Sequence, residues 1–319
     1  MTCKSGFPLI NRVAFAVNAV IITDGRKKMK RGTFLIKSIL AVSALCLMAC
    51  ATTQASKPKY KFANFGGSFE AAKQAGYDGI QLNHGRKSME DSGGYTKEQI
   101  ADLKKKMKDT GVVVCSVCVP CYHKFRFEDD KNVLTYMRNI IDQTAELGAN
   151  DILIPFFGKS SLYEKEKVNG KFVLKKDRIE PLVKLLKELA PYARKKGVTL
   201  SLENTLTPED NIAIIDKIGE PNVKVYFDTL NIVGAGYQPE DAIKILGTKY
   251  ISQIHLKANK EFYDEATSPK DLNKCFQAII DSGYDGWLVL EMGCKIKDHP
   301  YQEVITHNLK FFRNSVLGK

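Results

Sequence analysis

Histidine is scarce in this chain, with five among 319 residues. That excludes a centre built from many imidazoles, as multi-metal nucleases require. Tryptophan occurs once, at position 287, and is expected to help fill a core rather than to do chemistry. No apolar run reaches the ~20 residues that a membrane-crossing helix needs. A glycine-rich loop of the phosphate-cradling type is missing, and no short repeat or low-complexity region stands out. Paired cysteine clusters are also absent. Cys115, Cys118 and Cys121 form a C-x-x-C-x-x-C run across a strand end, with Cys275 and Cys294 far away. Side chains alternate along a strand, so those thiols are expected to scatter rather than to hold zinc or an iron–sulfur cluster. Buried small side chains or one disulfide are expected instead. Setting aside Cys3, Cys46 and Cys50 leaves five, so at least one thiol is free.

Positive charge is concentrated at the start. Of the formal +12, residues 1–49 carry +7, leaving a modest +5 for the remainder. No nucleic-acid partner is expected from that balance, and Lys104-Lys105-Lys106 reads as the solvated face of a helix. Met29-Lys30-Arg31 precedes a twelve-residue, largely apolar run from Ser38 to Ala49. Leu47-Met48-Ala49-Cys50 then resembles the lipobox of bacterial lipoproteins. These features predict a signal peptide over 29–49, with Cys50 as the lipidated residue. An ordinary secretory signal or a short signal anchor is the alternative. Residues 1–28 read as an extension from a mis-chosen start codon, and 50–59 as a polar tether. The expected location is the periplasm or cell envelope, with a bacterial membrane contacted through the lipid anchor.

From residue 60 to 319 short β-rich runs alternate with amphipathic helical patterns. Strands are predicted at 60–65, 79–82, 112–117 and 151–156, then in the four runs beginning at Val198, Val223, Tyr250 and Trp287. Helices are predicted at 68–74, 96–109, 132–147, 180–196, 210–217, 239–246, 270–282 and 301–315, several of them stopped by glycine. Eight strands alternating with eight helices predict one α/β domain, a (β/α)8 TIM barrel.

The last four strands each close on a residue able to ligate a metal: Glu203, Asp228, His255 and Glu291. The gaps are 25, 27 and 36 residues, each about one of the ~31-residue units of such a barrel. Parity places Thr199, Ser201 and Glu203 on one face of their strand, and Ile251, Gln253, His255 and Lys257 on one face of theirs. All four candidate ligands can then face the axis at the carboxyl-terminal rim. Singly, each could be a solvated loop residue or a helix cap. Together, three carboxylates and one imidazole suit a divalent Mn, Mg, Co or Zn ion.

Gly76-Tyr-Asp-Gly-Ile-Gln-Leu82, Glu146-Leu-Gly-Ala-Asn150, Leu202-Glu203-Asn204, Phe227-Asp228-Thr229, Ile254-His255-Leu-Lys257 and Gly283-Tyr-Asp-Gly-Trp-Leu-Val-Leu-Glu291 resemble the sugar phosphate isomerase/epimerase family. Those xylose isomerase-like barrels include the tagatose and psicose 3-epimerases, and the resemblance runs over about residues 60–315. It implies that Glu203, Asp228, His255 and Glu291 are metal ligands and that Glu203 and Glu291 are also the catalytic acid and base. It further implies a metal-dependent epimerase or isomerase acting through an enediolate. Export favours an unphosphorylated sugar. The alternatives are a 3-keto-glycoside lyase or hydrolase using the same site, and a noncatalytic sugar-binding lipoprotein. Where several members have His, this chain has Asn231; Ala258 replaces an Asp, and Glu261 stands where epimerases often carry Arg. Lys257, Asn231 and His123 are the expected substrate-binding residues, with His84 a weaker candidate. His299 and His307 are expected at the surface. A homo-oligomer is compatible with the family.

Overall fold

The computed structural model describes residues 60–86, 88–91, 93–168, 172–265 and 272–317. The expected extension, signal peptide, tether and lipidated Cys50 lie outside the described residues. The strands are β1 (Lys61–Phe65), β2 (Gly79–Asn83), β3 (Val113–Cys118), β4 (Asp151–Pro155), β5 (Thr199–Glu203), β6 (Val223–Asp228), β7 (Ile251–Ala258) and β8 (Trp287–Met292). All neighbours pair in parallel and β8 pairs with β1, so the sheet closes as a barrel. The principal helices are α1 (Phe69–Ala75), α2 (Lys97–Thr110), α3 (Val133–Glu146), α4 (Lys176–Lys195), α5 (Pro208–Ile218), α6 (Pro239–Tyr250), α7 (Leu272–Asp281) and α8 (Tyr301–Leu317). Among the described residues no helix is long and apolar enough to cross a membrane.

Local chemistry sets the helix ends. Ser68 accepts from the Ala71 amide at the start of α1. Thr96 and Gln99 form a reciprocal capping box at α2, satisfying two amides that the helix itself leaves unbonded. Helix α4 begins a turn earlier than the predicted residue 180. Arg178 explains this. It is buried in that first turn, chelates Glu128 and donates to the carbonyls of Lys159 and Ser161, so the turn is anchored from outside.

Leu200 and Leu202 of β5, Val225 and Phe227 of β6, and Ile254 and Leu256 of β7 pack outward into the helix-facing core. The alternate residues fill the barrel in layers. Asp151, Ser201 and Ser252 are hydrogen-bonded near the amino-terminal end. Ala63, Cys115, Leu153, Tyr226 and Val289 pack in the middle, and the acidic residues lie above them. Trp287 crosses the lower end, where it touches the space a Cβ on Gly79 would need.

Two register shifts break the expected alternation. Gln81 pairs with Ser116 after Ile80 has paired with Val114, so Cys115 is an extra residue. Between Val225 and Phe227 of β6, strand β7 advances from Ile251 to Ile254. Ile251 therefore joins the helix-facing core rather than the inward set, while Ser252 reaches Ser201 inside. Strand β7 also continues past its predicted end to Ala258, which pairs with Met292. The cysteines 115, 118, 121, 275 and 294 are all free thiols, the first four buried, so the small-side-chain expectation holds and the disulfide does not.

Candidate metal and acid–base site

Strand register assembles the site. Asp228 lies beside His255 across β6 and β7, and Lys257 beside Glu291 across β7 and β8. Ligand atoms of Glu203, Asp228, His255 and Glu291 all lie within 4.8 Å of one another. His255 Nδ1 is the common point, 2.8 Å from Glu291 Oε2, 3.3 Å from Glu203 Oε1 and 3.8 Å from Asp228 Oδ2. The ring is fully buried, with Phe65 and Tyr226 packed against it at centroid distances of 5.4 and 4.5 Å. Its other nitrogen, Nε2, lies 2.8 Å from Gln81 Oε1.

Around this point each carboxylate is oriented by a neighbour. Asp228 Oδ1 accepts from the amides of Leu230 and Asn231, at 2.8 and 2.7 Å. Asn231 opens a short helical turn, Asn231–Gly234, and its Nδ2 donates to Glu203 Oε1 at 3.0 Å. Lys257 Nζ donates to Glu291 Oε1 at 2.9 Å and lies 3.5 Å from Asp228 Oδ2. Among the protein's own charges, burial raises the Glu203 carboxyl to about 7. Burial works the same way on Asp228, but the nearby His255 imidazole and the charge of Lys257 outweigh it and bring that carboxyl to about 2. The imidazole of His255 is pushed well up, because Glu291, Asp228 and Glu203 together overcome its desolvation.

A divalent cation fits these residues. Asp228 Oδ2 and Glu291 Oε2 are buried without a well-aligned hydrogen bond; their nearest cationic neighbours are Lys257 Nζ, 3.5 Å from the first, and His255 Nδ1, 2.8 Å from the second. Buried carboxylate oxygens without partners are costly, and a cation between them removes that cost. Three carboxylates and one imidazole are also donors of the right hardness.

Above the cluster opens a cavity of about 330 Å³, lined by Phe65, Asn83, Cys118, Pro120, His123, Phe157 and four residues of the site, Glu203, Asn231, Lys257 and Glu291. His123 lies on its wall, stacked on Phe157 at 5.5 Å and 13°, and burial lowers its imidazole pKa. His84 is elsewhere, buried against Tyr95 and within 3.1 Å of the Tyr136 hydroxyl. Glu261 is a structural anchor that accepts from the amides of Lys297 and Asp298 and pairs with His299. His299 and His307 are partly exposed, as expected. Sequence reasoning assigned no role to Gln81, Phe65 or Phe157. Parity along β1 and β2 could have turned the first two inward, but nothing local to residue 157 marks it.

The family model described as xylose isomerase-like TIM barrel matches residues 69–315. Among curated proteins, the chain is 26% identical over 176 residues to an inosose dehydratase of Clostridium perfringens, covering 46% of this chain and 58% of that one. It is 23% identical over 190 residues to a 2-epi-5-epi-valiolone 7-phosphate 2-epimerase of Actinoplanes, covering 58% of this chain and 65% of that one. Less than two thirds of either relative is therefore spanned. Among solved structures, D-psicose 3-epimerase with D-tagatose from Clostridium cellulolyticum H10 superposes with a TM-score of 0.65 at 17% identity, covering 80% of this chain and 99% of that one. A 3-keto-D-glucoside 4-epimerase from E. coli gives 0.59 at 17%, covering 80% and 100%. The IOLI protein with a bound zinc atom gives 0.58 at 15%, covering 81% and 98%. At these identities the structural matches speak for the fold.

Proposed function

Because the chain belongs to the xylose isomerase-like TIM-barrel family, we propose that it is a divalent-metal-dependent epimerase or isomerase of an unphosphorylated sugar. The observation that carries this reading is the meeting of Glu203, Asp228, His255 and Glu291 within 4.8 Å at the floor of a cavity. When bound there, a Mn, Mg, Co or Zn ion supplies the positive charge that makes a hydrogen on carbon beside a carbonyl acidic. Asp228, His255 and one oxygen of each glutamate would hold it.

Glu203 and Glu291 approach from different strands, and each has a second oxygen for proton transfer. One takes the hydrogen as a proton, and the bonding pair moves onto the carbonyl as an enediolate. The other returns a proton to carbon, from the opposite side for epimerisation or at the neighbouring carbon for isomerisation. Asn231 keeps Glu203 turned inward, and Lys257 does the same for Glu291 while lining the cavity in which a substrate oxygen would sit. Phe65, Phe157 and His123 offer flat walls for the apolar faces of a sugar ring. Among the described residues that line the cavity, Lys257 is the one Lys or Arg and is already engaged with two carboxylates, which favours a neutral sugar over a phosphorylated one.

A second reading keeps the first step. The similarity to an inosose dehydratase favours a lyase acting on a keto-glycoside or keto-cyclitol, in which the same electron pair expels a group from the next carbon. Incubation with Mn²⁺ and ketohexoses or 3-keto-glucosides in deuterated water separates these outcomes. An epimer carrying carbon-bound deuterium supports the first reading; release of water or an aglycone supports the second. Sugar binding without any exchange of carbon-bound hydrogen means a binding protein and overturns both. Export and anchoring through Cys50 form part of the proposal, supported by the Leu47-Met48-Ala49-Cys50 run. Metabolic labelling with palmitate should mark the wild type and not Cys50→Ser.

A further inference from the structure

Below His255 a hydrogen-bonded chain crosses the barrel, and its direction follows from one backbone group. Gln253 Nε2 donates to the carbonyl of Cys115 at 3.1 Å. That oxygen can only accept, so the Gln253 amide has one orientation and its Oε1 must face Tyr226. The Tyr226 hydroxyl donates to it at 3.0 Å. Having used its hydrogen, that hydroxyl accepts from Gln81 Nε2, also at 3.0 Å, while Ser116 Oγ accepts the other Gln81 hydrogen at 2.9 Å. Gln81 is thereby obliged to present Oε1 to His255 Nε2, 2.8 Å away. Reversing the Gln253 amide would set oxygen against oxygen at the Cys115 carbonyl, and reversing the Gln81 amide would set its oxygen against a Tyr226 hydroxyl whose hydrogen is already given to Gln253.

We infer that Gln81, locked by Tyr226 and Gln253, is a positioning residue that makes His255 carry hydrogen on Nε2 and offer bare Nδ1 to a cation. The inference rests on the metal reading above. All four groups are buried, so water cannot substitute for a lost partner. The extra residue Cys115 at the β3 register shift is what provides the terminal carbonyl. A metal-bound imidazole depends on the acceptor at its other nitrogen for both orientation and donor strength.

The test uses the full chain and metal alone. Titration of Mn²⁺ or Zn²⁺ into Gln81→Met, which keeps the volume and removes the acceptor, should show affinity reduced about 10–100-fold. Gln81→Glu, which keeps an acceptor, should restore most of it. Tyr226→Phe removes a single oxygen and frees the Gln81 amide to turn; it should weaken binding too, and it carries the test if Gln81→Met does not fold. In the zinc form with ¹⁵N-labelled histidine, His255 should show a protonated Nε2 and a ligated Nδ1. Ligation through Nε2, or wild-type affinity in a folded Gln81→Met protein, overturns the inference alone. A wild type that binds no divalent ion overturns the metal reading, and this inference with it.

Discussion

Asp151 marks the opposite end of the barrel axis from the site, and its chemistry is separable from catalysis. Its Oδ2 accepts from Ser201 at 2.8 Å, while Oδ1 is buried without a partner. Burial raises the carboxyl from 3.8 to about 7, against the hydrogen bonds from Ser201 and Ser252. The folded state thus holds a proton that the unfolded state has already released. Stability from this group is complete below pH 3.8 and is lost as pH climbs toward 7. The loss is at most about 4 kcal/mol. Asp151→Asn should remove that slope, and urea unfolding at pH 5 and pH 8 should show the variant gaining on the wild type at the higher pH. Within the site, Glu203→Gln keeps the size of the side chain but removes an acid–base group, and the hydrogen–deuterium exchange rate on substrate carbon should drop about 10²–10⁴-fold. The four clustered residues were legible in the sequence because each closes or continues an apolar run whose parity turns it inward. Asp151 was not, because a carboxylate at the start of a strand looks like a solvated turn residue until Ser201 and Ser252 are seen beside it.

Strands and helices were legible for the same reason, since the periodicity that buries one face also marks the element. What escaped was whatever a neighbouring element decides. Ile251 was misplaced because the bulge in β7 depends on its register with β6. The early start of α4 depends on a loop some fifty residues upstream. There, Arg178 and Glu128 form a pair with side chains 2% and 3% exposed, and Arg126 also reaches Glu128. Breaking such a pair leaves a buried charge uncompensated, which costs about 3–5 kcal/mol. Glu128→Gln should lower stability by that amount in urea titration. It should also raise hydrogen exchange in the segment 120–130, whose short turn carries His123 to the cavity wall. Catalysis would then suffer through substrate affinity, while the cation affinity of the β5–β8 cluster should be nearly unchanged. A simultaneous loss of cation binding would mean that the loop and the cluster are one cooperative unit.

Across the whole molecule, the four candidate ligands come from four consecutive strands, β5 to β8, covering half of the barrel's circumference. Three of the four are carboxylates and all lie close together, so in the absence of a cation the upper rim holds mutually repelling carboxylates, offset among the described residues by His255 and Lys257. An ion that binds there binds the folded chain alone, because unfolding separates residues 203 and 291 by nearly ninety positions. Linkage then sets the size of the effect: free metal at one hundred times its dissociation constant adds ~2.7 kcal/mol. For a domain of this length that corresponds to a melting-point rise of about 5–10 °C. A thermal scan with Mn²⁺ should show the rise, and a chelator should reverse it. Asp228→Asn keeps the amide contacts of Leu230 and Asn231 but withdraws one charge from the cluster. Because His255 and Lys257 hold Asp228 ionised in the folded chain, the variant should melt somewhat lower than the wild type without metal and gain much less when metal is added. An undiminished rise with metal in the variant would place the bound ion somewhere other than among these four side chains.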